Sequence, residues 1–171
     1  MRRAADARAG FALALAGPGQ PDAASAALSV LVAVEVGARL FTVMTFDEAS
    51  GLSRRHWSNM PEAYPPGGTK PLQRDGWADQ VLGRHEPFVA NDIGAIAAVF
   101  ADHELIASLG CESCLNLPVV VGGEVLGTLN CLHEAGHYTP ERVARAREAL
   151  AVPGAACLLA RLLGDSKGGP A

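Results

Sequence analysis

The feature that most constrains the fold is the run CLNLPVVVGGEVLGTLNCLH, residues 114–133. Two apolar segments of strand length flank a Gly-Gly pair, and β-branched residues crowd both sides of it. That pattern specifies an antiparallel hairpin. Side chains alternate along a strand, so parity sorts the residues. Glu112, Cys114, Asn116 and Pro118 share one face of the first strand, and Leu115, Leu117 and Val119 the other. On the second strand Thr128 and Asn130 share a face opposite Leu129 and Cys131. A two-residue Gly122-Gly123 turn would set Cys114 opposite Cys131 and place polar groups on both buried sides, which is costly without partners. A three-residue turn with Gly123 as a bulge would set Cys114 opposite Asn130 and Asn116 opposite Thr128. The second register is expected, because it gathers Cys114, Asn116, Thr128 and Asn130 on one polar face.

The rest of the chain supplies what this hairpin must pack against. DAASAALSVLVAVEVG (22–37) is an Ala-rich helix, with Asp22 or Ser25 as cap and Gly37 as its end. Residues 38–59 form a second hairpin through a Ser-Gly turn. MPEAYPPGGTKPLQRDG (60–76) is a long loop holding four of the eleven prolines, and loops of this length are functional lids or mobile segments. WADQVL suggests a short helix and PFVAND a short strand. GAIAAVFADHELIASLG (94–110) reads as one helix ended by Gly110. The closing helix starts with Thr139 as N-cap and Pro140 at the first helical position, and Pro153-Gly154 should kink or break it. The order of elements predicts an α+β domain with an antiparallel sheet. Boundaries are expected at 1–21 for a leading helix and linker, 22–163 for the domain, and 164–171 for a flexible tail.

Composition narrows the function classes. The 171 residues suit one domain, and 49% hydrophobic with 19% charged residues marks a globular chain. With a net charge of −4 and scattered basic residues, no concentrated cationic face is expected, so neither nucleic acid nor an anionic membrane is a partner. No window is long and apolar enough to span a bilayer. The leading segment reads as an amphipathic helix rather than a signal peptide, and a cytoplasmic location follows, with four cysteines as thiols.

The segments CLNLPVVVGGEVLGTLNCLH and YTPERVARAREAL resemble the second half of a GAF domain, and GARLFTVMTFDEASG resembles its first helix-to-strand junction. The likeness covers about residues 22–163. It implies a central antiparallel sheet with the terminal helices on one face, and a middle helix plus lid loops over a pocket on the other. It also implies a small-molecule sensor or receptor that acts through a signalling partner protein, since the chain carries no output module. The ligand would be a small polar or anionic molecule on a floor of Cys114, Asn116, Thr128 and Asn130. Rim residues Arg54, His56, Ser58 and Lys70 would clamp it, with His103 on the middle helix turned the same way. A homodimer through the terminal helices is expected.

Two other readings stand beside this one. An enzyme of the same fold would use Cys111 or Cys114 with His103 or His56. The branch of the family that reduces free methionine sulfoxide offers the analogy, yet Cys114, Asn130 and Leu132 stand where that branch carries acidic residues. A helix C-terminus just before Cys111 would also raise a thiol pKa rather than lower it. A ligand-free interaction module is the third reading. Cys111 and Cys114 form a single CxxC, and Cys131 turns away from them. His133, His137 and His103 are the remaining donors, so no metal is expected. No cofactor is expected either, because aromatics are 5% and no bilin-attachment motif occurs.

Overall fold

The computed structural model describes residues 2–47, 49–72 and 76–167, with side chains through residue 164. Helix α1 (Arg2–Ala16) and helix α2 (Asp22–Glu35) lead into strands β1 (Leu40–Asp47), β2 (Leu52–Ser58) and β3 (Thr69–Pro71). A short helix α3 (Gly76–Ala78) runs into a π-helical turn at Asp79–Gly83 and then strand β4 (Phe88–Ala90). Helices α4 (Ile93–Ala97) and α5 (His103–Ser108) precede strands β5 (Ser113–Val121) and β6 (Glu124–His133), and helix α6 (Pro140–Lys167) closes the described chain. The sheet has the order β3-β2-β1-β6-β5-β4, antiparallel throughout. This is the α+β architecture expected from the element order.

One face of the sheet is apolar. Phe41, Val43, Leu115, Leu117, Leu129 and Cys131 pack against Leu28, Leu31 and Val32 of α2 and Leu150 and Leu158 of α6. Helix α1 joins the same core through Ala7 and Phe11, so the leading segment packs with the domain beyond GPGQP. One carboxylate ties the three helices together. Glu35, at the end of α2 with a side chain 0% exposed, pairs with Arg8 at 2.8 Å and with Arg145. The last carbonyls of α2 lack helical partners and are met from the start of α6. Arg145 Nε donates to Glu35 O, Arg142 Nη1 and His137 Nε2 to Val36 O, and Tyr138 Oη to Gly37 O.

Three local expectations need correction. Helix α6 does not break at Pro153; it runs unbroken from Pro140 to Lys167. A proline inside a helix costs about 3 kcal/mol in isolation. Here Leu150, Cys157 and Leu158 hold both sides of it in the core, and a Cβ on the adjoining Gly154 would lie 3.1 Å from Leu129 and Val119. The middle helix divides into α4 and α5, with 98–102 between them. Asp92, rather than a residue within the predicted run, caps α4 by accepting from Ala95 N at 2.8 Å. Helix α2 begins at Asp22 with no side-chain cap, while Gly37 ends it at φ +84° as expected. Thr139 also holds its predicted place, accepting from Arg142 N. Residues 168–171 of the predicted tail lie outside the described residues.

Candidate functional site

The register of β5 and β6 keeps the polar residues together by a route the sequence does not display. Val121 pairs with Glu124 across a two-residue Gly122-Gly123 turn, and Val120 pairs with Val125. The pairing then shifts, and Val119 meets Gly127. Leu126 is thus the extra residue of a bulge, which restores the parity that the tight turn alone would reverse. Asn116 lies opposite Asn130 and Cys114 opposite Leu132, two residues from the expected partners, but the face is the expected one.

These side chains floor a cavity of about 450 Å³ on the side of the sheet away from α2 and α6, a volume suited to a small organic molecule. Thr42, Met44 and Phe46 of β1 extend the floor, and Ser53 and Arg55 of β2 its far edge. Tyr64 and Lys70 come from the long loop, Trp77 from α3, and residues 99–102 from the break between α4 and α5. Leu40, Leu132 and Ile106 close the end nearest Cys114.

Within the floor the asparagines bind one another. Trp77 Nε1 donates to Asn116 Oδ1 at 2.9 Å, Asn116 Nδ2 to Asn130 Oδ1 at 2.9 Å, and Asn130 Nδ2 to Thr42 Oγ1 at 3.2 Å. This relay satisfies buried amides that would otherwise be costly. Thr128 Oγ1 is different, being buried without a partner among the described residues.

The rim has its own network. Tyr64 Oη donates to Asp102 Oδ2 at 2.8 Å, and Lys70 Nζ lies 3.6 Å from the same oxygen. Burial is the first cause that raises the Tyr64 pKa, and the Asp102 charge adds to it, so the phenol stays protonated. Arg55 is buried, with its guanidinium carbon 4.7 Å from the centre of the Tyr64 ring and Nη1 donating to Pro65 O at 3.3 Å. Its Nε has no partner among the described residues. Desolvation lowers the Arg55 pKa, but an arginine remains charged at neutral pH. Among the described residues the wall therefore sets two cations, Arg55 and Lys70, against one carboxylate, Asp102.

Of the residues singled out from the sequence, Lys70, Cys114, Asn116, Thr128 and Asn130 meet at this cavity. Arg54 does not: it is exposed and pairs across to Thr45, while its neighbour Arg55 points inward. His56 is the extra residue of a bulge, since Val43 pairs with Trp57 and Met44 with Arg55, and its ring bonds Thr45 on the helix side. Ser58 is buried but accepts from Met60 N at 3.1 Å and does not line the cavity. His103 turns back on Phe100 O at 3.2 Å, and Asp102 beside it faces the cavity instead. The sequence places Arg55 and Tyr64 near the pocket mouth without singling them out as ligand contacts, and it gives Trp77 and Asp102 no role in the site. An aromatic and a carboxylate at the ends of the long loop and the VFADH segment were the available signals.

The cysteines lack the surroundings of a nucleophile. All four are free and buried. Cys114 and Cys131 are each pushed up to about 12 by burial, and Cys111 is raised by the same cause. Cys111 lies beside Tyr64 and Ile106 rather than on the cavity wall. No histidine is among the residues facing Cys114 across the cavity. Thiolates are the reactive form, so a disulfide-exchange reagent should titrate the thiols at a negligible rate in buffer and all four in denaturant. Fast reaction of one thiol in the native protein would revive the thiol-enzyme reading.

The GAF domain family profile matches residues 20–152. The chain belongs to the GAF domain family. No curated protein matches it. Its fold is similar to that of the GAF domain of a phosphoenolpyruvate-protein phosphotransferase from Coxiella burnetii, at 19% identity and a TM-score of 0.69, covering 96% of this chain and 98% of that one. A domain of a putative two-component sensor histidine kinase from Sinorhizobium meliloti 1021 aligns at 16% identity and TM-score 0.61, covering 90% of this chain and all of that one. The phycoerythrobilin-bound GAF domain of a cyanobacterial phytochrome aligns at 16% and 0.63, covering 92% and 95%. At these identities the likeness concerns the fold. Among the described residues no helix is long and apolar enough to cross a membrane.

Proposed function

We propose that this GAF domain is a receptor for a small amphiphilic organic anion and passes its occupancy to a signalling partner. The observation that carries the reading is a pair of unpartnered buried groups on one cavity, Arg55 Nε and Thr128 Oγ1. Leaving such groups unmade costs about 1–3 kcal/mol each, so an acceptor at both positions completes the site. Arg55 and Lys70 suit a carboxylate or phosphate, Thr128 a carbonyl or hydroxyl, and Met44, Phe46, Phe100 and Trp77 an apolar body.

The output route follows from strand parity. Thr128 and Asn130 face the cavity, while Leu129 and Cys131 on the same strand face the helices. Leu13, Val152, Leu159, Leu162 and Leu163 are exposed on α1 and α6, which supports a homodimer or partner-binding surface there. Sedimentation equilibrium tests the dimer. Free thiols fit a cytoplasmic setting.

The ligand test uses a Trp57→Phe background, so that Trp77 alone reports. A panel of aryl and alkyl carboxylates and phosphates is titrated by fluorescence. The best binder should weaken about 100-fold in Arg55→Gln and about tenfold in Thr128→Val. Equal affinity in both variants would reject this site.

A further inference from the structure

A second cluster lies away from the cavity, where β6 runs into α6. The sequence there is HEAGH, residues 133–137. One donor atom from each of His133, Glu134 and His137 lies within 4.8 Å of the others. We infer that these three residues form a binding site for a borderline divalent cation of the zinc type, held by two imidazoles and one carboxylate. Such an N,N,O donor set suits zinc, nickel or cobalt rather than calcium or magnesium.

Three observations support it. First, His137 Nε2 lies 3.1 Å from Val36 O. A carbonyl only accepts, so Nε2 carries the proton and Nδ1 keeps its lone pair. A backbone carbonyl fixing the tautomer of a metal ligand in this way is the usual outer-shell arrangement. Second, His133 Nδ1 is buried without a partner among the described residues. The His133 and His137 rings stack face to face at 3.7 Å and 13°, and splaying them around a cation gives both a lone-pair partner. Third, each of the two arginines nearby donates to a backbone carbonyl, although Arg39 is also paired with Glu134 itself. Arg142 donates to Val36 O at 2.7 Å and Arg39 to Gly110 O, with Arg39 only 3.7 Å from Glu134 at the exposed rim. They lower the affinity for a cation, yet their hydrogen bonds are already directed at carbonyls.

The placement of the two histidines separates this site from the HExxH of metalloproteases. There both histidines lie on a helix and the glutamate is a base. Here His133 ends a strand and His137 lies in the turn before α6, which brings Glu134 among the ligand atoms. Three protein ligands leave a fourth position to water, so the cation exchanges with solvent rather than being locked in. Because His137 also holds the carbonyl at the end of α2, occupancy stiffens the junction of β6, α2 and α6.

The experiment titrates untagged, EDTA-stripped and dialysed protein with Zn²⁺ by calorimetry and with Co²⁺ by visible absorption. One equivalent should bind with Kd at or below about 100 µM, without the intense charge-transfer band of a cobalt thiolate. His133→Gln and His137→Gln should each weaken binding at least about tenfold. Glu134→Gln is exposed, should keep the wild-type circular dichroism and melting temperature in EDTA, and should weaken binding similarly. Thr128→Val should not change it. No binding at millimolar metal, unchanged binding in Glu134→Gln and the histidine variants, or a thiolate band would each overturn the site.

Discussion

Gly127→Ala should unfold the protein or cost it about 4 kcal/mol or more, the range of the most damaging single substitutions. A Cβ at this position would lie 2.3 Å from the carbonyl oxygen of Met44 and 3.1 Å from Leu158 Cδ1. The first contact is the decisive one, because Met44 belongs to the β1–β6 ladder, where it pairs with Thr128 next door. A side chain can turn aside, whereas a ladder carbonyl moves only if the strand moves. Gly127 also adjoins the Leu126 bulge, so the strand cannot slide to make room without disturbing the cavity floor. Gly10→Ala is the control. It lies within α1 with no atom within 4 Å of its new Cβ, and should add about 0.5–1 kcal/mol through helix propensity and unfolded-state entropy. Urea melts of the two variants should move in opposite directions. A Gly127→Ala melt within 1 kcal/mol of wild type would mean that β1 and β6 are less closely paired than described.

Arg145→Met should cost about 2–3 kcal/mol by the same measurement. Glu35 has a side chain 0% exposed and divides its two oxygens between Arg8 and Arg145. Removing Arg145 leaves a buried carboxylate with one partner, and that partner reaches it from a half-exposed position. Arg145 also donates to Glu35 O at 3.0 Å, so a helix-end carbonyl loses its donor as well. The sign of the second mutation separates this cause from simple loss of packing. Adding Glu35→Leu to Arg145→Met should recover most of the loss, since an apolar residue needs no counter-ion. A further loss in the double variant would contradict the account.

The fold could be read from the chain because its apolar patterning is strong. The Gly-Gly hairpin, the Thr139-Pro140 helix start and the Gly37 stop are each decided by neighbours a few residues away. The site was harder, because it depends on two bulges. Arg54, His56 and Ser58 share a parity in a regular strand, and choosing that parity placed Arg54 inward. The extra residue at His56 is set by pairing with β1, so the alternation of β2 alone does not reveal which arginine turns in. The asparagines were visible as a polar face, but that they satisfy one another depends on Trp77 reaching across from a separate helix. Likewise the division of the middle helix goes with a contact between distant segments, the Asp102 carboxylate accepting from Tyr64 of the long loop. In HEAGH the spacing was present in the sequence; what gives it meaning is the Val36 carbonyl beneath His137.

The extra residue at Leu126 has a consequence for how sequences of this kind can change over time. Loss of that single codon would leave a regular hairpin around Gly122-Gly123, with Val119 still opposite Gly127 and every later pair unchanged. Thr128 and Asn130 would still face the cavity, and Leu129 and Cys131 the helices. One deletion between Gly123 and Gly127 can therefore be absorbed by loss of the bulge, whereas a single insertion needs a second one, and point substitutions at the exposed tip, such as at Val121 or Glu124, drift freely.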